Sequence, residues 1–307
     1  MIEQVFKSFM APPTAIDLYE EKGRAILESK ISKFTKCNLP IQMTLLGFPF
    51  KSINHRDKTL GVLPDYGEEL SMLNFRNMSE KIKEVYKPGI KLTIISDGYI
   101  FNHLMDVPDK EVQEYEEVVR DMSGIAPIEV LNPWDFYDRG MSMNSIREKL
   151  SEQFGITELE LEKRILFDPE VKALYQGMIR FMQDDLAILN YDSGNQLHKA
   201  AKKMARQMMI WNEAYSALIR TQLTEPLGAI RLSMHPSQNA GTKYSIKLID
   251  AERANQSPWH SVIAVDADGN IATMKRKAAE EAGFELQYKN NQPYYYETEN
   301  RYSNIGI

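Results

Sequence analysis

The sequence predicts an α/β fold: a Rossmann-like, mostly parallel sheet with flanking helices and a helical insertion. Two observations carry this. Apolar strands and amphipathic helices alternate through the first 133 residues, and those strands are apolar on both faces, as in a sheet covered on both sides. A long helical stretch then separates this part from a second strand-rich part.

The elements follow in order. Residues 15–34 carry Ile16, Tyr19, Ile26, Leu27, Ile31 and Phe34 at helical spacing. QMTLLGFPF (42–50) reads as a buried strand ending in Gly and Pro. A polar loop leads to a helix through Leu70, Leu73, Met78, Ile82 and Val85, stopped by Lys87-Pro88-Gly89. KLTIISDG (91–98) is a second strand. A helix starting near Pro108 and Asp109 follows, then a third strand, IEVLNP (128–133). Helices are expected near 143–154, 158–165, 168–189 and 195–222, with a capping box at Thr157–Glu160. The strands return as AIRLSMHP (229–236), YSIKLI (244–249) and SVIAVDADGNIATM (261–274), the last turning at Asp268-Gly269. A short helix over 275–282 and two short strands finish the chain.

Composition narrows the function. The 307 residues include 37 basic and 43 acidic ones, a net charge of −6, and 43% are hydrophobic. That balance suits a globular chain and argues against nucleic acid as a partner, because phosphate contacts need a basic face. One cysteine, Cys37, forms no internal disulfide, so a cytoplasmic setting is expected. No apolar run is long enough for a membrane span. Motifs for dinucleotides, for nucleoside triphosphates and for a hydrolase elbow are missing. His55-Arg56-Asp57 has the H-x-D spacing of two-histidine, one-carboxylate iron sites. It stands in a loop after a parallel strand, whereas those oxygenases build the site on a double-sheet barrel.

Three polar clusters fall at strand ends, where open α/β sheets place ligands. The loop 51–58 gathers Lys51, His55, Arg56 and Lys58 against Asp57 alone. It reads either as an anion site, helped by a helix N-terminus near Asp65–Glu68, or as a solvated basic loop. Asp97-Gly98 offers a carboxylate for proton transfer, or an ordinary Asx turn. Strand alternation puts Arg231, Ser233 and His235 on one face of AIRLSMHP. Arg supplies a fork for phosphate or carboxylate, and His titrates near neutrality. Lys243 and Lys247 follow, and Pro258-Trp259-His260 opens a later strand. Together the clusters suggest an anion-binding active site.

FPFKSINHRDKTLGVLPDYGEE (48–69), YKPGIKLTIISDGYIF (86–101), IRLSMHPSQ (230–238) and SPWHSV (257–262) resemble the isocyanide (isonitrile) synthase family of pyoverdine and dityrosine biosynthesis. The likeness covers residues 41–275. It leaves a helical N-terminal segment, 1–40, and a C-terminal extension, 276–307, within one α/β domain. Tyr99 stands where many relatives carry Arg, and Ile53 where Pro is common. The resemblance implies a carbon–carbon lyase that joins the amino group of an aromatic amino acid to C2 of ribulose 5-phosphate. That carbon becomes the isonitrile carbon, and phosphate and formaldehyde leave. Tyrosine is favoured over tryptophan, and no metal or redox cofactor is expected. For such chemistry Lys51, Lys58, Arg231 and Lys243 are the expected anion contacts, with Asn54 and Ser233 as hydrogen-bonding partners. His235 is the first choice for proton transfer, followed by Asp97 and His260. An iron-dependent oxygenase and a non-catalytic module binding sugar phosphate or amino acid are the competing readings.

Overall fold

The computed structural model describes residues 1–13, 16–124 and 128–298. The start of the helix expected from residue 15 and the end of the C-terminal extension, 299–307, lie outside the described residues. The described elements in chain order are α1 (Ile2–Ser8), α2 (Arg24–Lys36), β1 (Ile41–Leu46), α3 (Tyr66–Val85), β2 (Ile90–Ile95), α4 (Gly98–Phe101), α5 (Asp109–Ser123) and β3 (Ile128–Leu131). The helical insertion comprises α6 (Met143–Phe154), α7 (Glu158–Phe167), α8 (Pro169–Leu186), α9 (Gly194–Ile219) and the single turn α10 (Glu225–Leu227). After it come β4 (Ile230–Ser233), β5 (Tyr244–Ser245), β6 (Val262–Val265), β7 (Ile271–Met274), α11 (Arg276–Glu281), β8 (Glu285–Lys289) and β9 (Gln292–Glu297).

Five strands form an all-parallel sheet in the order β3-β2-β1-β4-β5. β1 aligns Ile41 with Ile90 on one side and Met43 with Ile230 on the other. The chain winds outwards from β1 to β3, crosses through the insertion, and re-enters on the opposite flank of β1. The carboxyl ends of β1 and β4 therefore bound a crevice at the point where the winding reverses, which is where doubly wound sheets take ligands. Ile41, Met43, Leu45, Leu92, Ile94, Ile230 and Leu232 are buried in the sheet core, together with residues of the N-terminal segment. A second core joins Phe50, Ile95, Ile100 and Phe101 at the carboxyl edge to α6, α8 and α9. The insertion is thus a roof over the crevice.

Two differences from the sequence reading have physical causes. The strand expected over 244–249 runs along the parallel sheet at Tyr244 and Ser245, after which Ile246 and Lys247 turn to pair with Met10 and Phe9 of the N-terminal segment. Residues 262–274 form the expected hairpin, with Gly269 at φ +80°, but it belongs to a separate four-stranded sheet, β7-β6-β9-β8. In that sheet β9, from the C-terminal segment, pairs in parallel with β6. Alternation of apolar residues specifies a strand without naming its neighbour.

Two local features set the crevice floor. Phe48, just past β1, has φ +59°, an outlier for a bulky residue, and its ring packs 4.9 Å from that of Trp259. Gly98, at the start of α4, lies so close to the loop after β1 that a Cβ there would sit 2.2 Å from the Pro49 carbonyl oxygen and 2.7 Å from Val112 Cγ1. Gly98→Ala is therefore expected to destabilise the protein by about 1–3 kcal/mol through overpacking. Chemical denaturation of the variant beside the parent measures it, and an unchanged midpoint would show that the two loops are not rigidly held.

Candidate active site

The loop after β1 is folded back on itself and largely buried. The Lys51 side chain has 0% exposure, and its Nζ lies 2.7 Å from Glu68 Oε2, 2.8 Å from Asp65 Oδ2 and 3.1 Å from the Pro258 carbonyl oxygen. Burial opposes the charge on Lys51, yet the two carboxylates outweigh it and hold the ammonium above its usual value. Asp65 caps α3 and accepts from Gly67 N, while Glu68 closes the box on Asp65 N and accepts from Tyr115 Oη at 3.0 Å. Burial pushes Asp65 up to about 7 against the pull of Lys51. Two acids share one base, so the group accommodates a proton near neutrality. This corrects two expectations. Lys51 has no free donor for phosphate, and the α3 N-terminus is capped by its own carboxylates rather than open to an anion.

Lys58 also faces inwards. It pairs with Asp185 of α8, with side-chain exposures of 4% and 3%, and its Nζ lies 4.4 Å from the centre of the Phe181 ring. Ser52 donates to the same Asp185 carboxylate at 2.6 Å. Burial raises Asp185 while Lys58 pulls it down. Asn54 donates to the Asp184 carbonyl at 2.7 Å. Lys58 and Asn54 thus fasten the loop to the insertion. His55 Nδ1 meets Thr59 Oγ1 at 2.9 Å, whereas Asp57 takes Arg56 and Asn54. The two residues of the H-x-D spacing therefore face different partners.

Of the remaining expected residues, Arg231 lies on β4 beside Thr44 of β1, and Lys243 immediately before β5, next to Arg231 in the register of those strands. Arg231 is half-buried and donates to Ser216 Oγ at 3.3 Å. Among the described residues neither Arg231 nor Lys243 has an ion-pair partner within 4.0 Å. Burial lowers Lys243, and the neighbouring Arg231 charge lowers it further. Burial likewise depresses His235, and Lys243 adds to it. His235 itself is exposed. β4 ends at Ser233, so His235 leaves from a bend, not from the strand face. Ser233 is committed to that bend: its Oγ donates to the His235 carbonyl and accepts from His235 N.

Two further groups border this region. Asp97 follows β2, and its Oδ1 is buried without a hydrogen-bond partner among the described residues. Burial pushes it up to about 7. The buried phenols of Tyr115 and Tyr215 both feel its charge. His260 Nδ1 is equally buried and unpartnered among the described residues, and the ring edge meets Phe181 at 4.3 Å. Burial holds His260 well below its ordinary value, and Lys58, His235 and Lys51 add repulsion.

Sequence reasoning missed Asp185, Asp65 and Glu68 as counter-charges, and Phe181 as part of the wall. One signal was present. Tyr175, Ile179, Met182 and Leu186 form the buried stripe of α8, and Asp185 lies three residues beyond Met182 on the same side. A carboxylate in register with an apolar stripe needs a buried cation.

The family model for pyoverdine/dityrosine biosynthesis proteins matches residues 31–287. An isocyanide synthase, xanB, of Aspergillus fumigatus is 35% identical over 83% of this chain, which spans 36% of that longer protein. The L-tryptophan isonitrile synthase AmbI2 of Fischerella ambigua is 31% identical over 87% of this chain and 80% of its own length. The L-tyrosine isonitrile synthase of Pseudomonas aeruginosa is 30% identical over 87% of this chain and 82% of its own. The crystal structure of the PvcA protein from Pseudomonas aeruginosa superposes with a TM-score of 0.87 at 27% identity, covering 97% of this chain and 100% of that one.

The buried charges make two tests. Lys51→Met leaves two buried carboxylates without their cation and should destabilise the fold by about 3–5 kcal/mol, measured by urea denaturation. A loss below 1 kcal/mol would mean the acids simply take up protons. Asp97 has the opposite sign. Its folded value of about 7 lies above the ordinary 3.8, so the native state binds its proton more tightly. The contribution is present below pH 4 and is lost as pH rises through 7. Asp97→Asn should therefore be more stable than the parent at pH 8, with the difference vanishing below pH 4. A parallel pair of stability–pH curves would refute this.

Proposed function

Because the chain belongs to the pyoverdine/dityrosine biosynthesis family, we propose that it is an isonitrile synthase. In this reading it acts on an aromatic L-amino acid, tyrosine ahead of tryptophan. It takes the isonitrile carbon from C2 of ribulose 5-phosphate. The observation that carries the sugar-phosphate part is the Arg231–Lys243 pair. Two partly buried cations sit side by side, on β4 and just before β5, and neither has a carboxylate within ion-pair distance among the described residues. Cations held against mutual repulsion favour a polyanionic ligand, and the arginine fork suits phosphate.

The chemistry then assigns the titratable groups. Imine formation joins the amine nitrogen to C2 and expels the C2 oxygen as water, which needs a proton donor. A carboxyl poised near neutrality, Asp97, suits that step because it can hold a proton at working pH. Tautomerisation, phosphate elimination and carbon–carbon cleavage need a base. His235 is neutral in its crevice and sits beside Lys243, within the field of the bound anion. Cleavage that releases C1 as formaldehyde and C2 as isonitrile leaves a three-carbon fragment. The atoms balance without an external oxidant or reductant, so the reaction is of the carbon–carbon lyase type.

The decisive experiment incubates the protein with ribulose 5-phosphate and each aromatic amino acid in turn. The isonitrile is detected by mass and phosphate by release. Phosphate and isonitrile in equal amounts are expected. Saturable binding of both compounds without release would make the protein a binding module. In the same assay Arg231→Lys should raise the apparent KM for the sugar phosphate about tenfold, because a charge without the fork is retained. His235→Asn should lower turnover by about 100- to 10,000-fold with little change in melting temperature. A folded His235→Asn enzyme at parental rate would pass the base role to Asp97.

A further inference from the structure

One cavity lies against the loop on which the site is built. A pocket of about 50 Å³ opens between the loop after β1, α4 and the roof helices α8 and α9. Its walls are Phe50, Phe101, Met105, Phe181 and Met208, with His260 on one side. Measured against the ~10–15 Å³ that one water needs, the space holds about four waters, which is close to the bulk of a single aromatic ring. Ser52 and Asp185 also border it, with Ser52 Oγ and Lys58 Nζ both donating to Asp185 Oδ1. His260 Nδ1 is the polar wall atom that is buried and has no partner among the described residues. His260 also lies within the field of His235. It therefore stands where the apolar pocket meets the cationic crevice.

We propose that the ring of the amino acid occupies this pocket and that its neutral amino group donates a hydrogen bond to His260 Nδ1, which turns the amine towards the crevice. Three observations converge on this. The walls are aromatic and thioether groups, which grip a ring and adapt to its outline. The orphaned nitrogen is an acceptor in an imidazole that burial keeps uncharged, once the ring proton is on Nε2. The cations that repel a proton from His260 repel one from the amine too, and an amine attacks a carbonyl only when neutral. His260 thereby becomes an amine-orienting residue rather than a third candidate for proton transfer. The assignment rests on the reaction proposed above only for the identity of its ligand.

The test measures binding, so it stands apart from turnover. Calorimetry on the full chain at pH 9 compares p-cresol, which offers the ring alone, with tyramine, which adds the amine. The parent should bind both, tyramine roughly tenfold more tightly because it satisfies a buried acceptor. His260→Leu should erase that advantage and leave p-cresol affinity within about twofold, while His260→Gln, which keeps a hydrogen-bonding group, should retain part of it. Met208→Trp fills the pocket and should abolish binding of both, whether or not the His260 variants fold. Failure of p-cresol to bind the parent, its survival in Met208→Trp, or an equal loss of both ligands in a folded His260→Leu protein would overturn the proposal. Parent protein that shows this pattern yet makes no isonitrile from any aromatic amino acid would sink the reaction and leave the pocket standing.

Discussion

The buried contact of Lys51 with Asp65 and Glu68 is the constraint on which the site depends. It joins the loop after β1, the first turn of α3 and the Pro258 carbonyl at one ammonium group. Such a group gains little net stability over an apolar cluster, because desolvating three charges nearly cancels their attraction. Its effect is positional. The two acids cap α3, so the ammonium can be satisfied only when the helix start and the loop are in register. Tyr115, from α5, completes the set through Glu68 and ties in the far side of β2.

With the loop fixed in this way, the site divides into two regions of opposite character. Over β1 and β2 the roof helices meet the loop to enclose apolar walls. Beside β4 and β5, Arg231 and Lys243 stand together without an ion pair among the described residues, offset only from a distance by Glu213 and, for Lys243, Glu170. His235 and His260 stand along the border, and both are kept neutral by burial and by neighbouring cations. The polarity of the site follows from a sheet whose winding reverses beside β1.

Much of this was legible in the sequence, and the rest was not for definite reasons. The parallel sheet, the insertion and the polar ends of β1, β2 and β4 follow from periodicity and turn residues, which are local properties. Arg231 and Lys243 were legible as neighbours on adjacent strands, but not in their depth: Arg231 is the second residue of β4 and Lys243 precedes β5, so both stand at the amino side of those strands rather than at the carboxyl edge. Lys51 and Lys58 looked like ligand contacts because eight residues of sequence show four basic groups and one acid. Their partners lie elsewhere: Glu68 is 17 residues from Lys51, and Asp185 is 127 from Lys58. Nothing local announces that a distant carboxylate will cancel a charge. The pocket wall was hidden for the same reason, since Phe181, Met208 and His260 share no segment.

The separation between Lys58 and Asp185 has a consequence for the chain as it is made. Lys51 meets Asp65 and Glu68 almost as soon as it leaves the ribosome. Lys58 must wait for 127 further residues, about 6–25 s at the usual ~5–20 residues per second. The Pro258 carbonyl arrives later still, and the backbone of Arg276, which donates to the Lys58 carbonyl, last of these. Through most of synthesis the β-sheet edge therefore carries a loop with its second lysine still in water. Vectorial synthesis completes the cleft from the N-terminal side, and the nascent protein acquires a closed site only when its second sheet has begun to emerge.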